Sequence, residues 1–277
     1  MSAFESPYVA ARGGNCCGWH QSLQSIGETV YRRWRAGRKE GHSRHIDFWG
    51  TYACRCAAPW FPDILFRGPV SDRVDAQTGS KTLYLTIDDG PTETGTPRLL
   101  DLFARHNVPA TFFLVGQNAR TWPQAVPRMT AEGHAIGNHT YSHRDAWSSL
   151  FPAVAHELQQ TRSLLEDQSG QPVTAVRPPH GHFTAKLRNW CREQRQQLVL
   201  WDVLPADFSP QTSVDQICRF TLRHLRPGSI LVLHDNPQTV DRTPAALARL
   251  LPHLLEQGWT FKLLPQGTPR WEVVKYG

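Results

Sequence analysis

The chain has 277 residues, of which 40 % are hydrophobic and 19 % are charged, and its formal net charge is +6 at pH 7. This apolar content is enough for a sizeable core and excludes global disorder. The longest apolar runs, at 110–115 and 229–233, are far shorter than the roughly 20 residues needed to cross a bilayer. We therefore expect a folded protein without a transmembrane helix, built as one large domain or as a domain with an appendage.

Residues 1–76 differ from the rest of the chain in cysteine content and in hydrophobic periodicity, and we expect them to form an N-terminal extension of unknown role. They contain four of the six cysteines and show no sustained helical or alternating period. The first 14 residues lack both a basic start and a continuous apolar stretch, so no signal peptide is readable. The chain as encoded is expected to be cytoplasmic, unless an export signal is missing from this version.

Two features of the extension leave alternatives open. Five basic residues fall within 32–39, which we interpret as a solvated charged face, with a nucleic-acid role for residues 32–45 as the alternative. The cysteines at 16 and 17 and at 54 and 56 lack the C-x₂-C spacing that suits tetrahedral zinc. Free or disulfide-bonded cysteines are therefore favoured over a zinc knuckle completed by nearby histidines.

From about residue 81 onwards, apolar runs alternate with helical patterns. Strands are predicted at 82–87, 110–115, 134–138, 174–177, 197–201, 229–233 and 260–264. Helices are predicted around 99–103 and at 122–132, 154–165, 184–195, 213–225 and 244–256. Buried strands that alternate with helices indicate an α/β fold with a parallel sheet covered by helices. Seven such strands are nearly enough to close a barrel, in which the chemistry lies at the C-terminal strand ends.

Ionisable side chains follow most of the predicted strands. In chain order they are Asp88 and Asp89, His139 and His143, Arg177, Asp202 and Asp207, and His234 and Asp235. Buried charges are costly unless they are paired or bind a metal. The pattern therefore indicates a functional site at one end of the sheet.

A metal site is one interpretation of this pattern. His139 and His143 are four residues apart, which would place both on one face of a helical turn, within reach of one ion. One carboxylate and two imidazoles form a three-ligand set that leaves a position for water, as in catalytic zinc sites. Each signal is weak alone, because H-x₃-H is more often two surface histidines and Asp-Asp-Gly-Pro also occurs in plain turns. Their occurrence at successive strand ends favours the metal site.

Ordered motifs carry a resemblance to a known family. They are Thr-Ile-Asp-Asp-Gly-Pro at 86–91, His-x₃-His at 139–143, Arg-Pro-Pro-x-Gly at 177–181 and Leu-Val-Leu-His-Asp at 231–235. Over residues 81–265 the chain resembles the polysaccharide deacetylases, also called the NodB-homology domain or carbohydrate esterase family 4. The resemblance implies a distorted, incomplete (β/α)₇ barrel. We accordingly assign 77–277 to the catalytic domain and 1–76 to the extension.

The resemblance also implies the metal and the general base. Asp89, His139 and His143 would bind a divalent metal ion, most often Zn²⁺, with Co²⁺ or Ni²⁺ as substitutes. Asp88 would be the general base that takes a proton from water. Arg177 would hold Asp88 by an ion pair, which keeps the carboxylate ionised.

The remaining roles follow from the same resemblance. His234, held by Asp207, would be the general acid that protonates the leaving amine. The oxyanion donor and the substrate groove would come from His180, Gly181, Trp201, Phe208 and Leu233. The chain departs from the family pattern at two motifs: His180 replaces an aromatic residue, and Asp-x-x-Asp-Trp reads Leu-Pro-Ala-Asp-Phe at 204–208, which lacks the first Asp but keeps the second and an aromatic residue.

The implied activity is hydrolysis of N-acetyl groups on an amino-sugar polysaccharide or oligosaccharide, with the N-acetylated glycan as the expected partner and no nucleic acid. Peptidoglycan, chitin oligomers and an exopolysaccharide all remain open as substrates. Deformylation or O-deacetylation of a related glycan is an alternative, because the same metal-activated water serves each reaction. A carbohydrate-binding pseudoenzyme is the other alternative, and the complete set of ligands, base and acid argues against it.

Overall fold

The computed structural model describes residues 49–265, which belong to a compact unit spanning Arg44–Gly277. The basic run at 32–39 lies outside the described residues, and so does the pair of cysteines at 16 and 17 with the histidines that would complete a zinc knuckle. Cys54, Cys191 and Cys218 are free and buried, whereas Cys56 is free and exposed. No helix within 49–265 is long and apolar enough to span a membrane.

Seven parallel strands form one sheet at the centre of the molecule. They are β1 (Lys81–Asp88), β2 (Thr111–Leu114), β3 (Ala135–Asn138), β4 (Ala175–Val176), β5 (Gln197–Leu198), β6 (Ser229–His234) and β7 (Trp259–Phe261). The spatial order is β5-β4-β3-β2-β1-β6, and β7 pairs with the first residues of β1. The predicted α/β class and all seven predicted strands are confirmed, although β4 and β5 are each only two residues long.

Eight α-helices lie within residues 49–265. They are α1 (Trp49–Ala57), α2 (Gly95–His106), α3 (Gly116–Thr121), α4 (Ala125–Ala131), α5 (Phe151–Ser169), α6 (Ala185–Glu193), α7 (Val214–His224) and α8 (Arg242–Glu256). Each of the six predicted helices is present, while α1 and α3 were not predicted. Left-handed residues end two of the predicted helices, Asn107 after α2 and Gly170 after α5.

Strand β1 has buried side chains on both of its faces. Leu83, Leu85 and Ile87 pack into the apolar layer shared with the helices, whereas Tyr84 packs into a second layer with Phe113. Such two-sided burial is typical of parallel strands covered by helices. Because side chains alternate along a strand, Thr86 and Asp88 fall on the same face as Tyr84.

Residues 63–68 lie along the seam between β5 and β6, where the barrel is incomplete. Leu65 pairs with Val199 in parallel and Arg67 pairs with Ser229 in antiparallel orientation. Gly68 approaches the sheet so closely that a Cβ atom would lie 2.1 Å from the ring of Tyr84. These residues, which the sequence analysis assigned to the N-terminal extension, therefore pair with the chain beside β5 and with β6.

Candidate active site

The ionisable residues meet at the C-terminal edge of the sheet. In the strand register Asp88 lies beside His234 on one side and beside Phe113 on the other. The Asp235 N–H donates to the carbonyl of Asp88 at 2.8 Å. The parallel arrangement therefore brings the end of β1 next to the end of β6, and the ionisable residues lie at the C-terminal strand ends, as predicted.

A buried ion pair joins Asp88 to Arg177. The Nη1 of Arg177 donates to Oδ1 of Asp88 at 2.6 Å, and the two side chains are 0 % and 3 % exposed. The same guanidinium donates to Thr86 Oγ1 at 2.8 Å and to the carbonyl of Leu200 at 3.0 Å, and it lies over the ring of Phe113. Arg177 is thereby fixed in one orientation, and it fixes the Asp88 carboxylate in turn.

Asp89, His139 and His143 converge on one point. Their potential ligand atoms all lie within 4.8 Å of one another, with Asp89 Oδ1 at 3.4 Å from His139 Nε2 and 3.2 Å from His143 Nε2. Oδ1 of Asp89 is buried and makes no hydrogen bond. Nδ1 of His139 lies 2.7 Å from the carbonyl of Arg177; a carbonyl only accepts, so Nδ1 donates and Nε2 presents a lone pair. An orphaned carboxylate oxygen beside a ligand-ready imidazole fits a divalent metal ion.

Two asparagines hold Asp89 in place. Nδ2 of Asn236 donates to Oδ2 of Asp89 at 2.7 Å, leaving Oδ1 towards the histidines. Nδ2 of Asn118 donates to the Asp89 carbonyl at 2.8 Å, which supports a backbone with φ of 78°. Burial by itself would raise the pKa of Asp89, but the surrounding histidines, the charged His234 among them, hold it well below its usual range. The group is therefore a carboxylate, the form that binds metals.

The predicted helical turn at 139–143 is wrong, because this segment is a loop. Thr140 and His143 are left-handed, with φ of 65° and 59°. Glu157 on α5 shapes the loop: its carboxylate accepts from the Tyr141 N–H at 3.1 Å and from the Ser142 N–H at 2.9 Å. Glu157 also accepts from the Ser142 hydroxyl. The sequence analysis missed Glu157, since one Glu in a helical pattern resembles an ordinary surface charge.

His234 and Asp207 form the second charged pair. Oδ1 of Asp207 lies 2.8 Å from Nδ1 of His234, while Oδ2 accepts from the His234 N–H at 2.7 Å and from the Thr243 hydroxyl at 2.7 Å. Asp207 is completely buried. Burial alone would lower the pKa of His234, but the Asp207 carboxylate outweighs it and raises the pKa to about 9. The imidazole is therefore protonated at neutral pH.

The turn after β4 brings His180 to the histidine pair. His180 has φ of 59° and Gly181 has φ of 70°, and the ring of His180 meets that of His143 edge-on at 4.9 Å between centroids. The Gly181 N–H donates back to the carbonyl of Pro178 at 3.0 Å. The tight turn thus holds His180 next to the candidate metal ligands.

The other expected groove residues have different environments. Phe208 is half-buried and meets the His234 ring edge-on at 5.2 Å. Trp201 is only 7 % exposed and Leu233 is 0 % exposed, and both belong to apolar clusters. Of these three, Phe208 alone is half-buried and in contact with the His234 ring.

A stacked pair that the sequence analysis did not identify lies near His180. The rings of Trp147 and His182 are parallel, with centroids 3.8 Å apart. Asp145 Oδ1 lies 2.8 Å from Nδ1 of His182, and the rings of His180 and His182 are 5.4 Å apart. The rings of Trp147, His182 and His180 therefore lie close together beside the candidate site.

Comparison with known proteins decides the family. Residues 75–199 match the family model described as polysaccharide deacetylase. A chitooligosaccharide deacetylase of Sinorhizobium fredii is 36 % identical over 200 residues, which are 68 % of this chain and 93 % of the relative. The chain belongs to the polysaccharide deacetylase family.

Two further members of this family are similar to the chain. A peptidoglycan-N-acetylglucosamine deacetylase of Bacillus cereus is 36 % identical over 182 residues, which are 65 % of this chain and 66 % of the relative. The crystal structure of a peptidoglycan N-acetylglucosamine deacetylase has a TM-score of 0.69 and 32 % identity, covering 76 % of this chain and 94 % of that one. The structural similarity therefore covers about three quarters of this chain.

The loop that carries His143 depends on Glu157, and this dependence can be measured. Glu157→Ala removes the acceptor of two backbone N–H groups, so we expect the free energy of unfolding to fall by about 2–4 kcal/mol. Glu132→Ala is the control, because it removes a carboxylate from a surface pair with Arg128 and should cost no more than about 1 kcal/mol. Denaturant titration compares them, and equal losses would contradict the role of Glu157.

Proposed function

We propose that this chain is a divalent-metal-dependent hydrolase that removes N-acetyl groups from an amino-sugar glycan. One observation carries the proposal: the Asp89–His139–His143 group lies on the same rim as an ion-paired carboxylate and a carboxylate-backed imidazole. Relatives named chitooligosaccharide deacetylase and peptidoglycan-N-acetylglucosamine deacetylase support the class of substrate.

Asp89, His139 and His143 would hold the metal ion. A carboxylate oxygen with two imidazole nitrogens suits Zn²⁺, with Co²⁺ or Ni²⁺ as substitutes. When bound, the ion supplies Lewis acidity to the acetamide carbonyl and lowers the pKa of a water molecule to about 7. The asparagine contact to Asp89 Oδ2 directs Oδ1 to the ion, and the Arg177 carbonyl orients the His139 ring.

Asp88 is the general base in this proposal. The Arg177 guanidinium holds the Asp88 carboxylate at 2.6 Å, and Arg177 has further acceptors in Thr86 and Leu200 that keep it from turning away. Asp88 takes a proton from the attacking water, whose oxygen forms a bond to the acetyl carbon.

The His180 N–H is the backbone donor that we assign to the developing oxyanion. Pro178 and Pro179 have no N–H, and the Gly181 N–H already donates within the turn. Within residues 178–181 this leaves the N–H of His180, whose left-handed backbone is held by the 3₁₀ turn. A preorganised donor of this kind stabilises charge that develops in the transition state.

His234 is the general acid. Its raised pKa of about 9 keeps the imidazolium available at neutral pH, and Nδ1 is held by Asp207, so the other ring nitrogen donates. The proton goes to the sugar nitrogen as the C–N bond breaks, giving acetate and a free amine. The edge of Phe208 shields one side of the ring.

Acetate release from a panel of glycans tests the proposal. The panel contains N-acetylated chitooligosaccharides, peptidoglycan fragments and an N-acetylated exopolysaccharide, with O-acetylated xylan and N-formylated sugars as alternative substrates. We expect release from N-acetylated amino sugars that depends on added zinc. Release only from O-acetyl or N-formyl groups would favour the alternative hydrolases, and glycan binding without any release would favour a pseudoenzyme.

The asparagine variants of the adjacent residues Asp88 and Asp89 should differ in zinc affinity and in turnover rate. Asp88→Asn removes no metal ligand, so the protein should retain zinc while its rate falls by about 10²–10⁴-fold. Asp89→Asn removes a ligand, so zinc affinity should fall and excess zinc should restore part of the activity. Elemental analysis and turnover against zinc concentration make the comparison. If Asp88→Asn loses zinc and Asp89→Asn keeps it, the two roles are exchanged.

The pH dependence should reveal the contact between Asp207 and His234. Asp207 raises the pKa of His234, so Asp207→Asn should lower it, and the alkaline limb of kcat/KM should move to lower pH. Asp215→Asn is the matched control, because Asp215 pairs with Arg249 on the surface and its loss should leave the profile unchanged. An alkaline limb that stays in place in Asp207→Asn would exclude His234 as the acid.

A further inference from the structure

Helix α1 lies outside residues 75–199, which match the family model, yet it contacts the segment that links the acid–base residues. Gly50, Thr51 and Arg55 of α1 each bond to residues 201–204. We call these three residues the α1 clamp. The contacts of the α1 clamp reach the residues that hold Arg177, His180 and His234, in addition to the apolar core.

Gly50 acts through Trp201. The indole Nε1 of Trp201 donates to the Gly50 carbonyl at 3.2 Å. The far edge of the same indole lies against Gly181, where a Cβ atom would be only 2.5 Å from Cη2 of Trp201. The backbone of α1 and the turn that carries His180 therefore contact the same tryptophan.

Thr51 holds Leu204 at two points. Its hydroxyl accepts from the Leu204 N–H at 2.9 Å and donates to the Leu204 carbonyl at 3.3 Å. Thr51 is 0 % exposed and Leu204 is 7 % exposed. A buried N–H and C=O that lose this partner are driven to move towards another one. Leu204 is three residues before Asp207, so such a movement reaches the carboxylate that holds His234.

Arg55 completes the clamp on Asp202. Its Nε donates to Oδ1 of Asp202 at 3.1 Å and to the Asp202 carbonyl at 3.2 Å. The segment that the clamp holds begins at Leu200, whose carbonyl accepts from Arg177, and ends at Asp207. Residues 200–207 thus include the Leu200 carbonyl, which bonds Arg177 of the Asp88–Arg177 ion pair, and Asp207, which holds His234.

We propose that the α1 clamp is a positioning element for catalysis and that Thr51 is the residue on which it depends. The proposal rests on the proposed function, since it assigns Asp207 and His234 to the reaction. It follows that part of the N-terminal extension serves the active site. A displacement of a catalytic group by about 1 Å costs up to about 10²-fold in rate, so loss of the clamp should be visible in kcat.

Two substitutions of Thr51 separate the hydroxyl from its packing. Thr51→Val keeps the shape but removes both bonds to Leu204, whereas Thr51→Ser keeps the hydroxyl. In the full-length protein with saturating zinc, we expect kcat on the best glycan to fall by about 10-fold or more in Thr51→Val and to remain within about 3-fold in Thr51→Ser. Ile217→Val, a buried change on α7, is the control for a loss of stability without loss of the clamp.

Hydrogen exchange supplies a readout that does not require activity. The His234 N–H is protected by Asp207 Oδ2, so Thr51→Val should speed its exchange by about 10-fold relative to Ile217→Val. A folded Thr51→Val protein with wild-type kcat overturns the inference, whatever its exchange rate. If the wild-type protein releases no acetate at all, the proposed function fails, and unchanged His234 exchange in Thr51→Val would then overturn the clamp separately.

Discussion

The buried guanidinium of Arg177 is the constraint around which the site is built. A charge with no exposed surface is costly unless it is paired and hydrogen-bonded, and burial lowers the pKa of Arg177 against the opposing effect of Asp88. The compensation comes from Asp88 and Thr86 on β1, the Leu200 carbonyl after β5 and the ring of Phe113 on β2. These partners join the ends of β1, β2 and β5 to Arg177 after β4, although its Nε has no hydrogen-bond partner, and they place Asp88, the proposed base, at the rim.

The same arrangement accounts for the neighbouring groups. The Arg177 carbonyl fixes the tautomer of His139, and the register of β1 with β6 puts Asp88 beside His234. The proposed metal ligands, base and acid are therefore not independent features. Residues 200–207 supply the Leu200 carbonyl to Arg177 and the Asp207 carboxylate to His234. Contacts from α1 to residues 201–204 therefore bear on the positions of both Arg177 and His234.

Much of this arrangement could be predicted from the sequence, because buried parallel strands give apolar runs and charged residues at their ends stand out against them. The helical turn at 139–143 was wrong because its shape comes from Glu157, which is remote along the chain and accepts from two backbone N–H groups of the loop. Helix α1 was missed because its short pattern of Trp, Cys and Tyr has no long apolar period. Trp201 was expected in a groove, but the close approach of Gly50 and Gly181 encloses it. Both glycines are distant from Trp201 along the chain, so the sequence around Trp201 does not predict these contacts.

Backbone strain gives a further reason to regard these loops as one functional unit. Within residues 49–265, seven non-glycine residues have positive φ; two of them, Asn107 and Arg195, follow helices, and the other five are Asp89, Thr140, His143, His180 and Ala206. Each such residue costs about 1–3 kcal/mol and persists only where its surroundings hold it. Asn118 bonds the Asp89 carbonyl, and Asn138 accepts from the Thr140 N–H. The fold thus concentrates its strained backbone at the candidate metal ligands, at the turn that carries His180 and in the segment before Asp207.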